Sequence, residues 1–94
     1  MKTPLALLVL LCCCHFAWAQ RTITGVVSDQ NGEAIIGATV QTSTAVGTLT
    51  DLDGRYSINL PKGATTLIFS YIGYTTQERP VGAASVLDVT LVEG

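Results

Sequence analysis

From Arg21 onward the chain never runs far without a turn signal, and this most constrains what it can fold into. Asp29-Gln30-Asn31-Gly32, Gly37, Asp51-Leu52-Asp53-Gly54, Pro61-Lys62-Gly63 and Gly73 cut it into short pieces. Such signals recur at intervals of about 8–12 residues in sandwiches and barrels. Between them apolar and polar residues alternate with a period of two, and no segment longer than a turn has helical periodicity. A strand of this kind has one apolar face and buries it only against other strands. The expectation is an all-β module: a seven-stranded Greek-key sandwich.

The first strand is expected over Thr22–Ser28, with Ile23, Gly25 and Val27 on one face. Asn31-Gly32 supplies a turn with positive φ at low steric cost. A second strand over Ala38–Thr42 points Ala38 and Val40 inward. Ser43–Gly47 is small and polar and reads as a loop, and Thr48–Thr50 as a short strand. Arg55–Leu60 carries Tyr56, Ile58 and Leu60 on one face. Thr66–Ile72 is the most apolar stretch, rich in β-branched and aromatic residues, and is expected in the middle of a sheet. Tyr74–Gln77 continues as strand or bend toward Pro80. Val86–Val92 closes the set, with Leu87, Val89 and Leu91 inward. No internal repeat is evident.

The first 19 residues differ in kind. Met1-Lys2 is a positive start, Leu5 to Cys14 is unbroken apolar sequence, and Ala17-Trp18-Ala19 is the small-x-small pattern of a signal-peptidase site. Cleavage between Ala19 and Gln20 is expected, giving a signal peptide over 1–19 and one domain over 20–94. The apolar run is too short for a membrane anchor: ten helical residues span about 15 Å, and a bilayer core needs roughly 20 residues. A lipoprotein signal wants a small residue before its Cys. Leu11, Cys12 and Cys13 stand there instead.

Cleavage would remove all three Cys, the only His (His15), the only Trp and the only Met. What remains sets Arg21, Arg55, Lys62 and Arg79 against Asp29, Glu33, Asp51, Asp53, Glu78, Asp88 and Glu93, a net charge of −3. With no basic stripe to neutralise phosphates, nucleic acid is not an expected partner. With no disulfide either, stability must come from the core.

Residue types also limit the chemistry. Without His or Cys the domain cannot build a Ser-His-Asp triad, a thiol nucleophile or a zinc site of the usual ligands. Lys62 lies in a turn, as a solvated cation does. Ser28, Ser57 and Ser70 have no base beside them in sequence. Asp51-x-Asp53-Gly54 starts like a calcium loop, but that loop needs Gly at its sixth position and Glu at its twelfth, where this chain has Tyr56 and Lys62. The two carboxylates are expected to bond turn amides. Tyr71-Ile72-Gly73-Tyr74 is read as a core strand ending at a glycine, one tyrosine hydroxyl bonding backbone at a corner, in preference to a sugar-stacking surface. No catalytic residue, cofactor or metal site is expected.

Taken in order, Ile23-x-Gly25-x-Val27-x-Asp29, Gly32, Gly37-Ala38-x-Val40, Thr50-Asp51-x-Asp53-Gly54-x-Tyr56 and Leu67-x-Phe69-Ser70-Tyr71-Ile72-Gly73-Tyr74 resemble the carboxypeptidase-regulatory-like domain over nearly all of residues 21–92. The resemblance implies a transthyretin-like sandwich that is not itself a peptidase. Directly behind a signal peptide, the wording is similar to the N-terminal extension of SusC/RagA-type TonB-linked outer-membrane transporters. It implies a location at the periplasmic face of the outer membrane. The implied partners are proteins of the transport system: a plug and barrel downstream, and other periplasmic components. The chain stops at Val92-Glu93-Gly94 with no TonB box, plug or barrel strand, so transport by this piece alone is not expected. The competing expectation is a free-standing secreted module that binds glycan or cell-wall material.

Overall fold

The computed structural model describes residues 21–43 and 46–94. The expected signal peptide over 1–19 and the middle of the Ser43–Gly47 loop lie outside the described residues. Among the described residues there are seven strands: β1 (Arg21–Ser28), β2 (Thr39–Thr42), β3 (Gly47–Leu49), β4 (Arg55–Leu60), β5 (Thr66–Ser70), β6 (Gln77–Pro80) and β7 (Val89–Thr90). No helix of the described residues is long and apolar enough to cross a membrane, which says nothing of a β-barrel.

The strands form two sheets, one ordered β4-β1-β7 and one ordered β3-β2-β5-β6. The apolar stretch expected to be central does lie between two neighbours, as β5 between β2 and β6. Alternation sets the inner faces. Ile23 and Val27 of β1, Tyr56, Ile58 and Leu60 of β4, Val40 of β2, and Leu67 and Phe69 of β5 are all buried in one core. The Tyr56 and Phe69 rings meet edge to face across the two sheets, with centroids 5.5 Å apart and planes at 72°. The result is a two-layer β-sandwich.

Several strand limits differ from the sequence expectation. β3 starts at Gly47 and ends at Leu49, because Thr50 turns its hydroxyl inward instead of continuing the strand. β5 stops at Ser70, not Ile72. Residues 71–74 form a tight turn closed by Tyr74 N–H to Tyr71 O at 3.0 Å, with Gly73 at φ 84°. Ile72 at its tip is 88% exposed, so an apolar residue there is no sign of core. β6 is Gln77–Pro80, not Tyr74–Gln77, and its Cα partners run from Phe69↔Gln77 to Thr66↔Pro80.

The last strand differs most. Alternation predicts one strand over Val86–Val92, but only Val89–Thr90 is regular, and it runs parallel to β1. One register joins Thr24 with Val86 and Val27 with Val89, yet the ladder breaks between them. The break has a local cause. The Leu87 carbonyl turns inward and accepts the Tyr56 hydroxyl at 2.6 Å. The Val26 N–H, deprived of that carbonyl, donates instead to Asp88 Oδ1 at 2.9 Å. Gly25 makes room for the inverted carbonyl, since a Cβ there would collide with Leu87 O. Leu87 itself is only half-buried against the core.

Candidate functional site

Apart from Pro61-Lys62-Gly63, which follows β4 at the far end, the turn residues singled out from the sequence are gathered at one end of the sandwich. The loops after β1, between β3 and β4, and after β5 all sit there. So does the segment 91–94, through Thr75 N–H to Val92 O at 2.8 Å and Gly94 N–H to Gly73 O at 3.2 Å.

Two of these loops are the same device. Asp29 Oδ1 accepts the N–H of Asn31 at 2.8 Å and of Glu33 at 3.0 Å. Asp51 Oδ1 accepts the N–H of Asp53 and of Arg55, both at 2.9 Å. Each loop is closed by its own Gly and by the residue after it. Gly32 N–H bonds Asp29 O and Asp29 N–H bonds Glu33 O; Gly54 N–H bonds Asp51 O and Asp51 N–H bonds Arg55 O. Asp-x-Asn/Asp-Gly-x is thus a five-residue unit used twice, a local repeat within a sequence that shows none at longer range. The Asp29 and Asp51 carboxylates hold turn amides, whereas Asp53, expected to share that role, contributes its backbone N–H as a donor to Asp51.

The loops differ in surroundings. A Cβ on Gly32 would meet nothing within 4 Å, whereas one on Gly54 would lie 2.7 Å from Val27 O and 2.9 Å from Ala34 Cβ. Gly37, with φ 77°, starts the entry to β2. Thr50, buried beside it, ties the end together: its hydroxyl donates to Ile35 O at 2.6 Å and accepts from Ala38 N–H at 2.9 Å. Ala38 is fully buried. No role for the Thr50 hydroxyl was legible in the sequence; a threonine immediately before Asp-x-Asp-Gly is the signal that could have found it.

Tyr71 and Tyr74 touch, with ring centroids 5.9 Å apart. The tyrosine whose hydroxyl bonds backbone is not one of these but Tyr56, a correction with a plain cause: of the three tyrosines only Tyr56 is buried in the core, where a hydroxyl must find an acceptor. Asp29, Gln30, Asn31, Tyr74 and Glu93 line a polar depression of about 190 Å³. Desolvation, then the carboxylates of Glu93 and Asp29, raises the Tyr74 hydroxyl above its usual range. On the opposite side of β1 from the core, Thr24, Val26, Arg55, Val86 and Asp88 line a shallow groove of about 320 Å³.

Neither hollow pairs a nucleophile with a base. Among the described residues no three His, Cys, Asp or Glu lie together as metal ligands would. Ser28 and Ser70 end their strands and Ser57 sits on the exposed face of β4. What this arrangement offers chemically is hydrogen bonding and contact surface.

Burial, then the nearby Asp88 carboxylate, pushes the Tyr56 hydroxyl up to about 12. In the unfolded chain a tyrosine ionises near 10. The folded state therefore holds this proton more tightly. Its contribution is fully present below about pH 10 and is lost as pH rises toward 12. Tyr56→Phe is expected to lower stability by about 0.5–1.5 kcal/mol at neutral pH, since the Leu87 carbonyl loses its donor. It should also flatten the alkaline fall in melting temperature. An unchanged alkaline limb in the variant would assign that fall to other groups.

The fold and its loops define a small two-sheet β-sandwich module. Residues 23–93 match the CarboxypepD_reg-like domain. The chain belongs to that family. It is 47% identical over 74 residues to TonB-dependent receptor P39 of Formosa agariphila, covering 78% of this chain and 7% of the relative. It is 44% identical over 69 residues to TonB-dependent receptor SusC of Bacteroides thetaiotaomicron, covering 71% of this chain and 7% of the relative. With TonB-dependent receptor P3 of Formosa agariphila it shares 33% over 93 residues, 97% of this chain and 9% of the relative. The chain thus spans less than a tenth of the length of these curated relatives.

Proposed function

We propose that this chain is the periplasmic, non-enzymatic N-terminal domain of a TonB-dependent SusC/RagA-type outer-membrane transporter, exported by a leader over residues 1–19 and acting through protein–protein contact. The observation that carries the reading is the similarity to TonB-dependent receptors over most of this chain. The site is in keeping with it. Its Asp29 and Asp51 carboxylates bind turn amides, and the surface around them is hydrogen-bonding groups and exposed apolar tips such as Leu52 and Ile72. Residues 92–94 are held at that same end, so a following domain would begin beside it.

The test is a deletion in a full-length receptor of this family. The stretch equivalent to residues 21–92 is removed, and the leader and everything downstream are kept. The barrel should still fold, and nutrient uptake or outer-membrane assembly should fall. Normal uptake with normal receptor levels would refute a contact role in transport. In the same host, N-terminal sequencing of the exported product should begin at Gln20; an intact Leu5–Cys14 segment would refute export by cleavage. The purified product should hydrolyse neither peptides nor glycans.

A further inference from the structure

Among the described residues, β4 alone of the sheet-edge strands is long and undefended. β3 has three residues and β7 two, while β6 carries Glu78, Arg79 and Pro80, all of which discourage pairing. β4 has six residues and a single charge, Arg55. Its bonding direction follows from its neighbour. Val27 N–H bonds Gly54 O at 2.8 Å, so the inward-bonding residues of β4 are Tyr56, Ile58 and Leu60. Arg55, Ser57 and Asn59 point their N–H and C=O groups to the outer edge. The Asp51 loop closes one end of that edge, binding Arg55 N–H through its carboxylate and Arg55 C=O through its own N–H. Pro61 closes the other end: it has no N–H, and its carbonyl accepts Ala64 N–H at 3.0 Å. Ser57 and Asn59 are left with two donors and two acceptors, none with a partner among the described residues.

This open window is complementary to itself. We propose that two copies of the chain pair antiparallel through β4, with a two-fold axis at Ile58, joining their three-stranded sheets into one of six strands. Ser57 then lies opposite Asn59 of the second copy, and the two symmetric pairs satisfy all the open groups with four hydrogen bonds. Arg55 lies opposite Pro61, so neither closed end asks for a bond. No register slip keeps all four bonds. The exposed side chains that meet are a hydroxyl and an amide, with no like charges opposed. Thr22 Oγ1 already steadies the Asn59 side chain at Oδ1, 3.0 Å away, which leaves its amide N–H₂ to donate. So small a contact makes a weak dimer, populated at high protein concentration. This inference does not depend on the transporter reading.

Sedimentation of the purified chain over a wide concentration range should show its mass rising toward twice that of the monomer. Hydrogen exchange at the Ser57 and Asn59 amides should slow at least about tenfold over the same range, with other exposed amides unchanged. Ser57→Pro removes only an outward N–H, so the chain should fold and stay monomeric. Should that variant fail to fold, Ser57→Lys/Asn59→Lys places like charges across the axis and should also be monomeric. Mixing it with Ser57→Glu/Asn59→Glu should restore a mixed dimer. A chain that is monomeric throughout, or a dimer indifferent to these substitutions, overturns the pairing. Protection of the two amides that appears only when a different protein is present gives the edge to that partner and overturns it as well.

Discussion

Phe69→Ala is expected to cost about 3–5 kcal/mol, the range for truncating a buried aromatic. Phe69 is fully buried on β5, with Val40 as its β2 pair and the Tyr56 ring against its own. That ring contact joins the two sheets, so its loss is felt on both sides of the core. A domain of this size has roughly 4–11 kcal/mol of stability in all, at about 0.05–0.15 kcal/mol per residue. Each kcal/mol shifts the melting temperature of such a domain by roughly 4–8 °C. The melting temperature should therefore drop by well over ten degrees, or the variant should be largely unfolded at 37 °C. A shift of only a few degrees would mean that the core centres elsewhere.

Gly54→Val is the second large effect, and Gly32→Val is its internal control. The two glycines occupy the same position of the same hydrogen-bonded loop, with φ 74° and 81°. Both substitutions force a branched side chain into the left-handed region, at about 1–2 kcal/mol. Only at Gly54 does the new Cβ also press on Val27 O and Ala34. Overpacking of that kind adds about 1–3 kcal/mol. Gly54→Val should thus be clearly more destabilising than Gly32→Val in urea or thermal unfolding. Equal losses at the two sites would show that the 34–35 segment yields freely and that the close approach is unimportant.

Much of this was present in the order of the residues. Alternation placed Ile23 and Val27, and Tyr56, Ile58 and Leu60, on inner faces, because a strand's side-chain period is a local property. Asp-x-Asn/Asp-Gly marked both tight loops, because the carboxylate, the amides it binds and the glycine all lie within five residues. The lack of His and Cys after residue 19 narrowed the chemistry before any fold was known.

Other features belong to the tertiary structure alone. The parallel pairing of Val27 with Val89 joins residues 62 positions apart, and no local pattern encodes which strand closes on which. Alternation over Val86–Val92 suggested a continuous strand because it reports side-chain faces and is silent on carbonyl direction. The ladder breaks because the Leu87 carbonyl turns to Tyr56, over a glycine on a third strand. The same holds for the β4 edge. Whether Ser57 and Asn59 have partners depends on which strands lie beside them, and only the closed sandwich decides that.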